Sequence, residues 1–259
     1  MHTFASTSAM SLIVLAACSS SSSGTGGAQG GGGSTGPTVN EHGIVYDYGT
    51  LLATGTLATV GGLTVTDGNQ TTTTAADGTW SLKLPLGATL APVVTGTSKG
   101  DPYSYLILPT ATAAGTDLDW GNIITPDVST FQLERVTLGS TDTDAVVHIV
   151  AVTTGACTSL KGGTLTVTSP PGAKVNYFDM QGYPAAAQTS MVDPPVPQRP
   201  VADIYNMAPG TQFTFTVTHP TCHLAPYPVT INGGTFNGQV TTKAAEPGDN
   251  NSAVNLILE

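Results

Sequence analysis

Short segments that alternate apolar and polar residues with a period of two constrain this chain more tightly than any other feature. Trp80, Leu82 and Leu84 are separated by Ser81 and Lys83; Phe213, Phe215 and Val217 by Thr214 and Thr216; Val254, Leu256 and Leu258 by Asn255 and Ile257. Side chains of an extended strand point alternately to opposite faces, so each segment offers one face to a core. Asn69, Asp77-Gly78, Pro85-Leu86-Gly87, Gly182 and Pro209-Gly210 punctuate these runs and supply the positive φ or fixed proline φ that turns require. The expectation is an all-β chain of antiparallel sheets packed face to face. One stretch departs from the period. Val128, Phe131, Leu133 and Val136 follow Thr125-Pro126 at helical spacing, which predicts a short helix capped by Thr125 and ending near Gly139.

Of the 259 residues only 9% are charged, where globular domains carry about 25%, so Thr, Ser, Asn, Gln and Gly must solvate the surface. Seven Lys and Arg stand against 17 Asp and Glu, a formal charge of −10. Nucleic-acid binding rests on cationic side chains neutralising phosphates, and this balance excludes it. The longest uncharged apolar run, residues 10–17, is far short of the ~20 residues that span a bilayer as a helix.

That run leads into Leu15-Ala16-Ala17-Cys18, small residues closing on a cysteine as secretory signals do near their cleavage site. The four residues resemble the bacterial lipobox, although residues 1–11 carry no Lys or Arg. The resemblance implies that residues 1–17 are a signal peptide, that Cys18 is acylated and becomes the first residue of the mature chain, and that the membrane is a partner through that lipid. Two or more acyl chains anchor stably where one does not. Ser19 follows the cysteine, and by family analogy this favours the outer membrane. Residues 18–40 are mostly Ser and Gly and read as a disordered tether, with a root-mean-square span of roughly 25 Å at about 5–6 Å × √n.

The remaining chain contains an internal repeat. Gly62 to Asp67, a turn, Thr-rich residues and Trp80 to Gly87 parallel Gly172 to Asp179, Gly182 and Ile204 to Phe213. This grammar resembles carboxypeptidase regulatory-like domains. The resemblance implies two tandem transthyretin-like (prealbumin-like) Greek-key β-sandwiches, at 41–125 and 141–259, joined by a connecting helix or linker at 126–140. It also implies a binding or positioning role with no chemistry of its own. The proline-rich stretch from Asp193 to Pro200 is expected to be an exposed loop.

With Cys18 committed to lipid, Cys157 and Cys222 remain, an even pair beyond the ends of two predicted strands; in an oxidising compartment they are expected to form a disulfide. His219 and His223 flank Cys222, but Pro220 and Pro226 forbid the helix that would bring all three onto a metal. His148 lies inside an apolar run and reads as a hydrogen-bonded sheet residue. Asp117/Asp119, Asp142/Asp144 and Glu246/Asp249 lack the spacing of a calcium loop. No nucleophile elbow, zinc-protease motif or phosphate loop occurs, so no catalytic residue, metal or cofactor is assigned. Tyr103 and Tyr105 share a strand face and are the candidate platform for a glycan; an envelope protein is the other partner class considered.

Overall fold

The computed structural model describes residues 36–259 apart from 110, 116, 142–143, 194–199, 227, 232–233, 237–241 and 244–249. Cys18 and the stretch assigned to the tether up to residue 35 lie outside the described residues, as does most of the proline-rich loop. The first half consists of β1 (Thr38–Asp47), α1 (Tyr48–Thr54), β2 (Thr64–Asp67), β3 (Gln70–Thr73), β4 (Thr79–Pro85), β5 (Thr89–Leu90), β6 (Val93–Ser98), β7 (Asp101–Ile107), β8 (Ala111–Ala113) and β9 (Leu118–Thr125). After α2 (Val128–Leu138) come β10 (Ala145–Thr153), β11 (Thr164–Ser169), β12 (Lys174–Phe178), β13 (Pro184–Ala185), β14 (Ala202–Met207), β15 (Gln212–Thr218), β16 (Val229–Ile231), β17 (Gly234–Phe236), β18 (Thr242–Lys243) and β19 (Asn250–Leu258). The fold is all-β. Its first strand begins at Thr38, inside the span expected to be tether.

One nine-stranded sheet, ordered β13-β12-β14-β10-β19-β7-β6-β2-β3, runs through both halves, which together form one compact unit from Gly36 to Glu259. The three-stranded sheet β4-β1-β9 packs on it through Val45, Trp80, Leu82 and Ile123 against Leu63, Val65, Val94 and Leu106. At the other end, Leu165, Phe213 and Phe215 of the β11-β15-β18 sheet meet Val147, Ile149, Ile204, Val254, Leu256 and Leu258. β19 joins the two cores. Val254, Leu256 and Leu258 enter the second core, whereas Ala253, on the opposite face, enters the first. A strand covered on both faces no longer needs strict alternation, and Ile257 is as fully buried as Leu256.

The expectation of purely antiparallel sheets is corrected in three places. β1 pairs parallel with β9, β10 with β19, and β19 with β7. In each half the last strand returns beside the first and in the same direction, with the intervening strands serving as the long crossover that parallel neighbours need. Residue alternation encodes which face is buried but not the direction of the neighbouring strand, so this was not legible in the sequence.

Tight turns hold the first sandwich together. Gly78 has φ +78°, and a Cβ placed on it would stand 2.5 Å from the Val45 carbonyl oxygen, which is backbone and cannot yield. Gly78→Ala is therefore expected to lower unfolding free energy by about 2 kcal/mol or more, measured by urea denaturation.

The helix α2 forms as expected in extent but not in cap or face. Thr125 ends β9, paired with Asp47, and the N-cap is Asp127, whose Oδ1 accepts from Thr130 N at 2.9 Å. Gly139 ends the helix in the left-handed conformation. Phe131, Glu134, Arg135 and Leu138 face inward, while Leu133 and Val136 are 66% and 74% exposed. The helix thus lies with a charged stripe against the sheet and two large apolar side chains in water.

Candidate functional site

The two residues read as a glycan platform sit on β7. The Tyr103 ring is half-buried against the first core, and its hydroxyl donates to Asp47 Oδ2. Burial, followed by the Asp47 carboxylate, holds that phenol far above its ordinary titration range. The side chain of Tyr105 lies outside the described residues. Other aromatics also close the core with a bonded polar tip: Tyr48 donates to the Gly182 carbonyl at 2.6 Å, and Trp120 Nε1 to Glu41 Oε2 at 3.0 Å.

Cys157 and Cys222 form a disulfide with Cα atoms 5.4 Å apart, both buried. Around it the chain end is tied down by backbone hydrogen bonds between His223 and Glu259 in both directions, and from Ala225 N to the Ile257 carbonyl. His219 Nδ1 accepts from Cys222 N at 3.0 Å, a turn-stabilising role. A groove of about 200 Å³ lies beside the bridge, lined by Val217, His219, Cys222, His223 and Leu258 among others.

Two clusters of buried ionisable groups were not anticipated. The first is on the central face of the first sandwich. Val39, Glu41, Gly43 and Val45 share the inward face of β1, so Glu41 occupies a core position and is wholly buried. Burial, and to a smaller degree the neighbouring Asp67 charge, pushes its carboxyl up to about 7, with the Trp120 hydrogen bond pulling the other way. Asp67, also buried, is raised by desolvation and partly relieved by Ala91 N, which donates to its Oδ2 at 2.9 Å. Two carboxyls out of water beside each other cannot both ionise cheaply, so the pair holds a proton.

The second cluster lies beneath α2. His148 and Asp203 are direct cross-strand partners on β10 and β14, and His148 Nδ1 lies 2.7 Å from Asp203 Oδ1. Glu134 comes down from α2 until its Oε1 is 3.7 Å from the same ring nitrogen. Phe131 sets its ring edge-on to His148, 6.2 Å between centroids, and carries the Arg135 guanidinium 4.6 Å above its own centroid. Arg135 donates to the Thr141 carbonyl at 3.1 Å. Glu134, His148 and Asp203 are 5%, 5% and 0% exposed. Burial drives the Glu134 carboxyl well above its usual range, with the Asp203 charge adding to it; burial also lifts Asp203 to about 7 and lowers His148.

His148 is a hydrogen-bonded sheet residue, as expected, but the sequence reading missed its two acids. The available signal was parity. Asp203 interrupts the apolar run Val201 to Ile204, His148 interrupts Val146 to Val150, and Glu41 falls in step with Val39 and Val45. A lone polar residue at a core position requires a buried partner.

No family model matches the chain, and no curated protein does. Among solved structures, the Bacillus anthracis TIE protein is 12% identical over 85% of this chain, with a TM-score of 0.24, and the chain spans about a third (34%) of its length. The shaft pilin SpaA from Lactobacillus rhamnosus GG is 11% identical, with 87% of this chain and 98% of that one covered and a TM-score of 0.19. The major pilin from Streptococcus pyogenes is 9% identical, with 87% and 99% covered and a TM-score of 0.19.

Proposed function

We propose that this chain is a non-catalytic protein of the cell envelope, anchored by lipid on Cys18 and acting as a surface binding or structural module. The observation that carries the reading is the buried Cys157–Cys222 disulfide, because such bonds form and persist in oxidising compartments outside the cytoplasm. The lipobox-like Leu15-Ala16-Ala17-Cys18 and the Ser/Gly stretch after it supply an address and a leash consistent with that compartment. No helix among the described residues is long and apolar enough to cross a membrane. Glu41, Asp67, Glu134, Arg135, His148 and Asp203 are withdrawn into the interior, while exposed Leu133 and Val136 supply apolar contact surface. Tethering keeps the body at high local concentration near the membrane, which makes weak contacts useful.

The test is metabolic labelling with an alkyne fatty acid in a Gram-negative host, followed by membrane fractionation. The parent chain is expected to take up label and sediment with membranes; Cys18→Ala is expected to do neither. Label retained by Cys18→Ala, or a parent chain that is unlabelled and soluble, would overturn the anchor.

A further inference from the structure

We propose that Glu134, His148 and Asp203 form a structural site for one divalent transition-metal ion, zinc in the simplest case, that pins α2 to the central sheet. Three side chains from three separate elements each bring one donor atom to a common point, and all three donor atoms lie within 4.8 Å of one another. Donors bound at about 2.0–2.2 Å to one ion stand a little over 3 Å apart, so the His148–Glu134 separation of 3.7 Å fits and the His148–Asp203 contact of 2.7 Å must open slightly. The set of one imidazole and two carboxylates selects a borderline ion such as zinc over calcium or magnesium, which take oxygen alone.

A second observation points to a ligand. Apart from a hydrogen bond between the two acids, which needs a proton on one of them, both oxygens of Glu134 and Oδ2 of Asp203 are buried without a donor from the rest of the protein. Carboxylates bridged only by a shared proton are costly inside a protein, and these face a histidine whose Nδ1, now hydrogen-bonded to Asp203 Oδ1, supplies a lone pair once its proton is displaced. An ion between them accepts a lone pair from each carboxylate and from Nδ1, and its two positive charges balance the two negative ones. The imidazole proton then resides on Nε2, which is itself buried without a hydrogen-bond partner.

The site also accounts for the inverted helix. Leu133 and Val136 point outward because the inward positions belong to Glu134 and Arg135, with Phe131 and Leu138 packing against Val146 and Tyr205 around them. Since α2 seals the cluster, the ion must enter before the helix closes. Folding with metal, rather than soaking, is the relevant experiment.

The full chain carrying Cys18→Ser, which removes the thiol outside the disulfide, is unfolded in denaturant without reductant. It is then refolded with zinc or cobalt and passed over a chelating resin. One equivalent of metal per chain is expected to remain, with a midpoint of thermal unfolding several degrees above that of chain refolded with chelator. X-ray absorption at the metal edge is expected to show nitrogen and oxygen donors and no sulfur. His148→Gln is expected to retain at least tenfold less metal. Retention below 0.1 equivalent by the parent chain, a sulfur-containing donor shell, or undiminished retention by His148→Gln would each overturn the site. Should His148→Gln fail to fold, the donor shell and stoichiometry of the parent chain decide the matter alone.

Discussion

Replacing Cys157 and Cys222 together by alanine is expected to lower the unfolding free energy by about 4 kcal/mol, and the thermal midpoint by on the order of 10 °C. The bridge closes a loop of 65 residues, and in the chain-entropy model a loop of that length restricts the unfolded ensemble by about that amount. Both sulfurs are buried, so alanine avoids the unpaired hydroxyls that serine would leave in the core. The loss should be local as well as global. The segment around Cys222 holds the end of β19 through the His223–Glu259 and Ala225–Ile257 hydrogen bonds, and Thr154 N reaches the Leu258 carbonyl at 2.7 Å from the Cys157 side. Amide exchange at Ile257, Leu258 and Glu259 is expected to accelerate before that of Val147 or Ile149. Unchanged protection at the chain end, with an unchanged midpoint, would mean that packing alone secures the second sandwich.

The second large effect is a stability that falls as pH rises. Glu41 has a folded-state pKa of about 7 against an ordinary 4.5. A carboxyl raised by folding is held protonated by the native state, so its favourable contribution is complete below about 4.5 and is lost progressively as pH climbs through about 7. Asp67 is raised in the same direction. Between pH 5 and pH 8 the first sandwich is expected to lose on the order of 2 kcal/mol from this pair. Glu41→Gln keeps the shape of the protonated acid and its ability to meet Trp120 Nε1, but cannot ionise. It should therefore flatten this part of the profile and leave the variant more stable than the parent at pH 8. Urea denaturation of both chains from pH 4.5 to 8.5 measures it; parallel profiles would show that Glu41 is not the titrating group.

Much of the fold was readable from residue parity. The strands around Trp80, Leu84, Phe213 and Phe215 bury the side chains that alternation selects, and the Asp77-Gly78 turn falls between β3 and β4. The repeat holds only for part of its length: β4 lies antiparallel to β1 as β14 does to β10, but β12 pairs directly with β14 whereas its counterpart β2 lies in a different sheet from β4. What the sequence did not convey is the joining of the halves, because the β19–β7 contact depends on which strand edges remain free after each half has folded. The helix misled for a related reason. Leu133 and Val136 look like core residues in isolation, yet the sheet beneath α2 presents His148 and Asp203, and the helix face that matches them is the one carrying Glu134. Amphipathic pattern assumes an apolar partner, and here the partner is polar. Among the tyrosines, sequence could not distinguish a wet ring from one whose hydroxyl is already bonded, as that of Tyr103 is to Asp47.

Intact-mass analysis of the protein extracted from native membranes, under non-reducing conditions and with alkylation of free thiols, bears most directly on the whole account. A chain starting at Cys18, heavier by a diacylglyceryl and an acyl group and carrying no alkylated cysteine, is the expected product. A chain retaining residues 1–17, with alkylating reagent on Cys18 or on Cys157 and Cys222, would contradict both the anchor and the compartment.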